Sequence, residues 1–129
     1  MVNVVASKLL DKGLLELGIG YLEVANRLSQ TLVERNEQGT LHEKLGEVNL
    51  AIRVYEKNVE DLFDDEHPYE RLRLIHSKRE QFQDALKVCE RFVFMADTLI
   101  GMQIPDEEEL TKKRERFKVW IETLEWKLG

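Results

Sequence analysis

Apolar and polar residues alternate along this chain with the period of an α-helix almost throughout. From Leu14 to Glu34 the segment "LLELGIGYLEVANRLSQTLVE" predicts a helix over about 14–35, weakened by Gly18 and Gly20, where close approach by a neighbouring helix is the usual compensation. Farther on, Leu41, Leu45, Val48, Ile52, Tyr55, Val59 and Leu62 step by four and three. Gly39 precedes Thr40 and Glu43, which have capping-box spacing, so a helix start is expected there. Whether residues 40–63 form one helix or are broken at Gly46 stays open, because a glycine inside a helix costs only about 1 kcal/mol. Pro68 marks another start: "EDLFDDEHP" gathers carboxylates ahead of the short helix "YERLRLIHSKRE", with Asp64 and Asp65 as cap candidates. Phe82, Ala85, Cys89, Phe92, Ala96 and Leu99 define the next helix, with Gly101 as its expected C-terminal cap. After Pro105 the run Asp106–Glu109 suits the positive end of a helix dipole. That helix should cover about 106–127, with Leu110, Phe117, Trp120, Ile121, Leu124 and Leu128 on one side.

One interval recurs. "LGEVNLAIRVYEKN" and "REQFQDALKVCERF" share a texture in which Ala85 answers Ala51 at 34 residues, and Gly18 precedes Ala51 by 33. A period of this length in a helical chain points to stacked helix pairs, because a hairpin cannot bury both its faces alone. The pattern resembles the tetratricopeptide repeat family. Gly13, Leu15, Gly18, Leu22 and Ala25 match the second helix of one unit. Gly46, Val48, Ala51 and Tyr55 match a second, with Pro68 as a displaced closing proline. Phe82, Ala85 and Cys89 match a third, preceded by Tyr69, Leu72 and His76 on its first helix. The chain departs from the family at Asn58 and Phe92, where alanine is preferred, and at Arg73, where glycine is preferred. The expected architecture is all-α: antiparallel hairpins stacked as a short repeat array over about 5–97, with a capping helix over about 106–127, in one domain spanning 1–129. A plain antiparallel helix bundle is the alternative.

Composition agrees with an ordered globular chain. Of 129 residues, 43% are apolar and 34% charged, with only two prolines and seven glycines. A net charge of −6 disfavours a protein that coats nucleic acid. The N-terminus "MVNVVASKLLDKG" lacks the basic head of a signal peptide, and no apolar run reaches the roughly 18 residues of a membrane span, so a cytoplasmic location is expected. The single cysteine, Cys89, sits in an apolar ridge and reads as an inert thiol.

Candidate chemistry is sparse. In the tetratricopeptide family the first helix of each pair lines the partner-binding face, which implies that Arg71, Leu74 and Lys78 lie toward a groove. They are three and four apart and share one face. Such a basic face would take an acidic peptide, a C-terminal carboxylate or a phosphate. The competing expectation is that these cations pair with the acidic run Glu60–Glu66 or are merely solvated. Arg71 and His76 also have the Arg-x4-His spacing seen in HEPN-type RNases, a resemblance that would make the arginine a phosphate clamp and the histidine a general acid/base. "DDEHP" (Asp64, Asp65, Glu66, His67) lacks a second histidine at ligand spacing, so no metal or other cofactor is expected. "KKRER", residues 112–116, is expected to be self-paired, through Glu108–Lys112 and Glu109–Lys113. Val119 and Trp126 form a second stripe on the last helix and suggest a homodimer contact. The expected function is a non-catalytic interaction module or adaptor for a protein partner. A HEPN-like RNase and a structural oligomerisation scaffold are the alternatives.

Overall fold

The computed structural model describes residues 21–103 and 106–129, with side chains from residue 28 onward. Among these residues the chain is all-α, with five helices: α1 (Tyr21–Lys44), α2 (Val48–Glu60), α3 (His67–Lys78), α4 (Phe82–Gly101) and α5 (Glu107–Leu128). They fall into two compact units that meet in sequence between Asp64 and Asp65. Gly18, one of the three small residues of the recurring interval, lies outside the described residues.

The first unit contains the antiparallel hairpin α1–α2. Arg35 of α1 pairs with Asp61 at 2.5 Å, just past the end of α2, while His42 meets Glu47 beside the turn. The break between the two helices falls at Gly46, whose φ of +77° is the left-handed conformation that glycine adopts without steric cost. Residues 40–63 are therefore two helical pieces. Gly39 and Thr40 do not start a helix. They lie inside α1, which runs nine residues beyond the expected end at 35. The Thr40 hydroxyl donates back to the Asn36 carbonyl at 3.0 Å, a mid-helix arrangement rather than a cap. The reason is tertiary. A Cβ on Gly39 would fall 2.7 Å from Cζ of Tyr55, so glycine is what lets the fully buried Tyr55 ring lie against the backbone of α1. The ring is held at its far end, where its hydroxyl donates to Glu43 at 2.7 Å.

The second unit contains α3, α4 and α5, each antiparallel to the next. Asp65 accepts a hydrogen bond from the His67 amide at 2.9 Å, ahead of Pro68 in the first turn of α3. An aromatic ladder runs through all three helices. Tyr69 meets Phe92 edge-on at 5.2 Å, Phe92 stacks on Phe117 at 3.9 Å, and Phe117 meets Trp120 edge-on at 4.7 Å. Such pairs add about 0.5–1.5 kcal/mol each beyond the area they bury. Gly101 is not a left-handed cap. It is the last residue of α4, and the positive φ falls two residues later at Gln103.

The hairpin turns of the two units have one geometry. Gly46 and Glu80, 34 residues apart, both have positive φ. The next amide in each case reaches five residues back at 2.8 Å, Glu47 to the His42 carbonyl and Gln81 to the His76 carbonyl. This is the Schellman closure, which satisfies carbonyls left open at a helix end. Glu47 (φ −91°, ψ 63°) and Gln81 (φ −92°, ψ 64°) then open α2 and α4 with the same backbone angles. The preceding histidine repeats as well: Nδ1 of His42 meets the Glu47 side-chain oxygen at 3.3 Å, and Nδ1 of His76 meets that of Gln81 at 3.1 Å. Ala51 and Ala85, four residues into the pattern, are both completely buried.

The departures from the interval are size exchanges. At the position of Gly39 the second hairpin has Arg73, and at the position of Tyr55 it has Cys89. The first hairpin puts a bulky ring against no side chain; the second puts a long side chain beside a small one. Asn58 and Phe92 also correspond. Asn58 is buried and donates to the Leu32 carbonyl of α1 at 2.7 Å. Phe92 is buried against Phe117, a residue of the third helix of its unit.

Candidate surfaces for interaction

On α3 the buried side chains are Pro68, Tyr69, Leu72, Ile75 and His76. Arg71 and Leu74, which flank the buried arc, are half-buried and Lys78 is exposed. At 100° per residue these three span an arc of about 60°, so one ligand reaching α3 from outside can touch all of them. Two of the acidic residues upstream are engaged elsewhere: within the second unit Glu66 pairs with Arg116 and with Lys113, the latter at 3.5 Å, and within the first unit Asp61 pairs with Arg35.

His76 does not share that arc. Five residues from Arg71, it lies about 140° away around the helix. It is only 6% exposed, and its Nδ1 is directed at Gln81. Its role in the structure is to lock the α3–α4 turn. The 34-residue spacing of His42 and His76, each five residues ahead of a Glu or Gln, was the sequence signal for that role.

Arg73 has a role that its helical spacing does not reveal. Its guanidinium carbon lies 3.4 Å from the centroid of the Trp120 ring, with Arg116 at 5.7 Å from the same ring. Partial burial pushes the Arg73 pKa below its ordinary value, an effect that nearby Cys89 and Glu70 oppose. An indole face compensates a cation without a hydrogen bond. Cys89 lies under this contact, fully buried, and desolvation pushes its thiol up to about 12.

The basic cluster of α5 is spent on internal pairs. Lys112 pairs with Glu108 at 3.8 Å and Lys118 with Glu115 at 3.6 Å, while Arg114 reaches Asp97 of α4 at 2.9 Å. The expected Glu109–Lys113 pair is replaced by Lys113–Glu66, which ties α5 to the start of α3. The two apolar residues singled out on α5 are both exposed, Val119 at 58% and Trp126 at 83%.

In "DDEHP" the N-cap position of α3 is Glu66, not Asp64 or Asp65; Asp65 accepts from the His67 amide just ahead of the helix, and Glu66 holds α5. Among the described residues no group of His, Cys, Asp or Glu is arranged to hold a metal ion, and no helix is long and apolar enough to cross a membrane. No family model matches the chain, no curated protein matches its sequence, and no solved structure matches its fold.

Proposed function

We propose that this chain is a non-catalytic protein-interaction module of the tetratricopeptide kind, which binds an acidic peptide segment of a partner along α3. The observation that carries the reading is the doubled hairpin: two turns with the same Schellman closure, the same helix-opening angles and the same histidine latch, 34 residues apart. In the family that this interval resembles, first helices of the pairs face the partner. The outer side of α3 supplies Arg71 and Lys78 as charges and the partly exposed Leu74 as an apolar contact. A peptide carboxylate would gain charge-assisted hydrogen bonds there, and the charges would speed encounter at low salt.

The experiment is a peptide-display selection with the full chain immobilised. Sequences rich in Asp and Glu should be enriched for the wild type, and the doubly reversed variant Arg71→Glu/Lys78→Glu should lose them. Binding should also weaken as salt is raised. Enrichment that ignores both charge reversal and salt refutes the reading.

A further inference from the structure

Arg73 is a part-buried cation whose charge no carboxylate of its unit takes up. Arg35, Arg114 and Arg116 each hold a carboxylate. Arg73 has no ion-pair or hydrogen-bond partner among the described residues, and its Nε is closed off from solvent. It rests instead on the face of Trp120, 3.4 Å from the ring centroid. Arg116 approaches the same ring at 5.7 Å, so the two guanidinium carbons stand within about 9 Å of each other. Burial lowers the Arg73 pKa and the charge of Arg116 lowers it further, against the pull of Cys89 and Glu70. The carboxylates nearby do not cancel this charge. Glu66 is shared between Arg116 and Lys113, and Glu70 favours the Arg73 cation from a distance without pairing with it. Arg73, Lys113 and Arg116 thus face only Glu66 and Glu70, one positive charge in excess. A cation taken out of water is costly unless it is paired and hydrogen-bonded. Stacking on an indole uses the face of the guanidinium and leaves its in-plane donors unspent.

We propose that Arg73, Arg116 and Trp120 form a binding site for one carboxylate group, between α3 and α5. The Arg73 fork has the planar donors that a carboxylate accepts in pairs, and Arg116 keeps donors beyond the one it gives to Glu66. A carboxylate set between the two guanidinium groups relieves their mutual repulsion and supplies the acceptors that the indole lacks. The single excess charge matches a singly charged group, whereas a phosphate dianion would also meet Glu66 and Glu70. The site is separate from the face of α3 proposed above and does not depend on it. Around the helix Arg73 stands about 160° from Arg71 and about 140° from Lys78. The acidic side chain of a partner segment and a free small carboxylic acid present the same group to it.

The test is titration of the full chain with acetate, with a capped triglutamate peptide and with inorganic phosphate, at an ionic strength held constant with sodium chloride. The readouts are the Arg73 Nε–H resonance of nitrogen-15-labelled protein and the emission of Trp120 in a Trp126→Phe background, which removes the other tryptophan. Both carboxylates should shift both signals saturably, with phosphate weaker. Arg73→Lys keeps the charge but loses the fork, and should weaken binding at least about tenfold with unchanged circular dichroism. Arg73→Gln should abolish it. The acetate response should survive Arg71→Glu/Lys78→Glu, which separates this site from the outer side of α3. Triglutamate binding far tighter than acetate identifies a partner's acidic segment as the source of the carboxylate, and equal binding identifies a free small acid. Because the Nε–H resonance reports from the site itself, the wild-type titration decides the matter even where a variant unfolds. A drift that never saturates, a response that persists in Arg73→Gln, loss of the acetate response on reversal of Arg71 and Lys78, or phosphate binding tighter than either carboxylate would each overturn the proposal.

Discussion

Replacing Gly39 by alanine tests the contact on which the first hairpin is built. For an ordinary position inside a helix the change stabilises by about 1 kcal/mol, because alanine loses less backbone entropy. Here the added methyl would fall nearest Cε1 of Tyr55, with Cζ at 2.7 Å and Cδ1 at 2.8 Å, so ring and backbone must separate by roughly 1 Å to reach ordinary contact. The ring is fully buried and its hydroxyl is tied to Glu43. It cannot swing aside without straining that bond, and hydrogen bonds to charged groups contribute about 1.5–3 kcal/mol. Overpacking by one methyl costs about 1–3 kcal/mol, and the strained bond adds to it. The net expectation for Gly39→Ala is a loss of about 1–3 kcal/mol, which lowers the urea midpoint by about 1 M. In a Tyr55→Ala background the ring is gone and the sign should reverse, with Gly39→Ala stabilising by up to about 1 kcal/mol. The double-mutant cycle, read by circular dichroism in the far ultraviolet, should return a coupling of about 3 kcal/mol. If Gly39→Ala raises the midpoint of the wild type, or acts alike in both backgrounds, the close approach is not what retains the glycine.

The paired turns make opposite predictions at matching positions: Gly46→Ala should destabilise and Glu80→Gly should stabilise, each by about 1 kcal/mol in denaturant titrations, since both residues have positive φ and only one is glycine. Cys89 should resist iodoacetamide at mildly alkaline pH in the folded chain and react promptly in urea. Because its thiol is raised to about 12 from an ordinary value of 9, the stability linked to it is fully present below pH 9, where the thiol is neutral in both states, and is lost as pH climbs from 9 toward 12, where only the unfolded chain ionises; that decline should be missing in Cys89→Ala. Arg73→Ala should cost about 0.5–2 kcal/mol and alter the fluorescence of Trp120, whereas Arg71→Ala, on the outer side of the same helix, should leave that fluorescence unchanged.

The places where sequence and structure part company share a cause. The acidic run 107–109 and Pro68 mark helix starts through local electrostatics and a missing N–H, and both starts lie within a residue or two of where those signals put them. Gly39 and Thr40 present an equally local signal, yet the helix continues through them, because Tyr55, sixteen residues away, needs the space that the glycine leaves. A trace of this was present in the sequence, since the 34-residue interval counted back from Arg73 lands on Gly39. The interval by itself does not say that Tyr55 lies opposite. On α5 the i to i+4 rule anticipated Glu108–Lys112 and missed Lys113–Glu66, which requires α3 to lie alongside.

By itself, then, the order of residues determined the helical class, the seven-residue stripes of the last helix and the fixed interval between hairpins. These follow from backbone periodicity, and a period is visible in one dimension. Tertiary structure alone decided which glycine breaks the chain and which is packed against, which arginine stacks on an indole, and that His76 is a latch within a turn. Those outcomes depend on what stands across the interface, on volumes that must fit and charges that must be compensated between residues distant in sequence, and no local pattern encodes them.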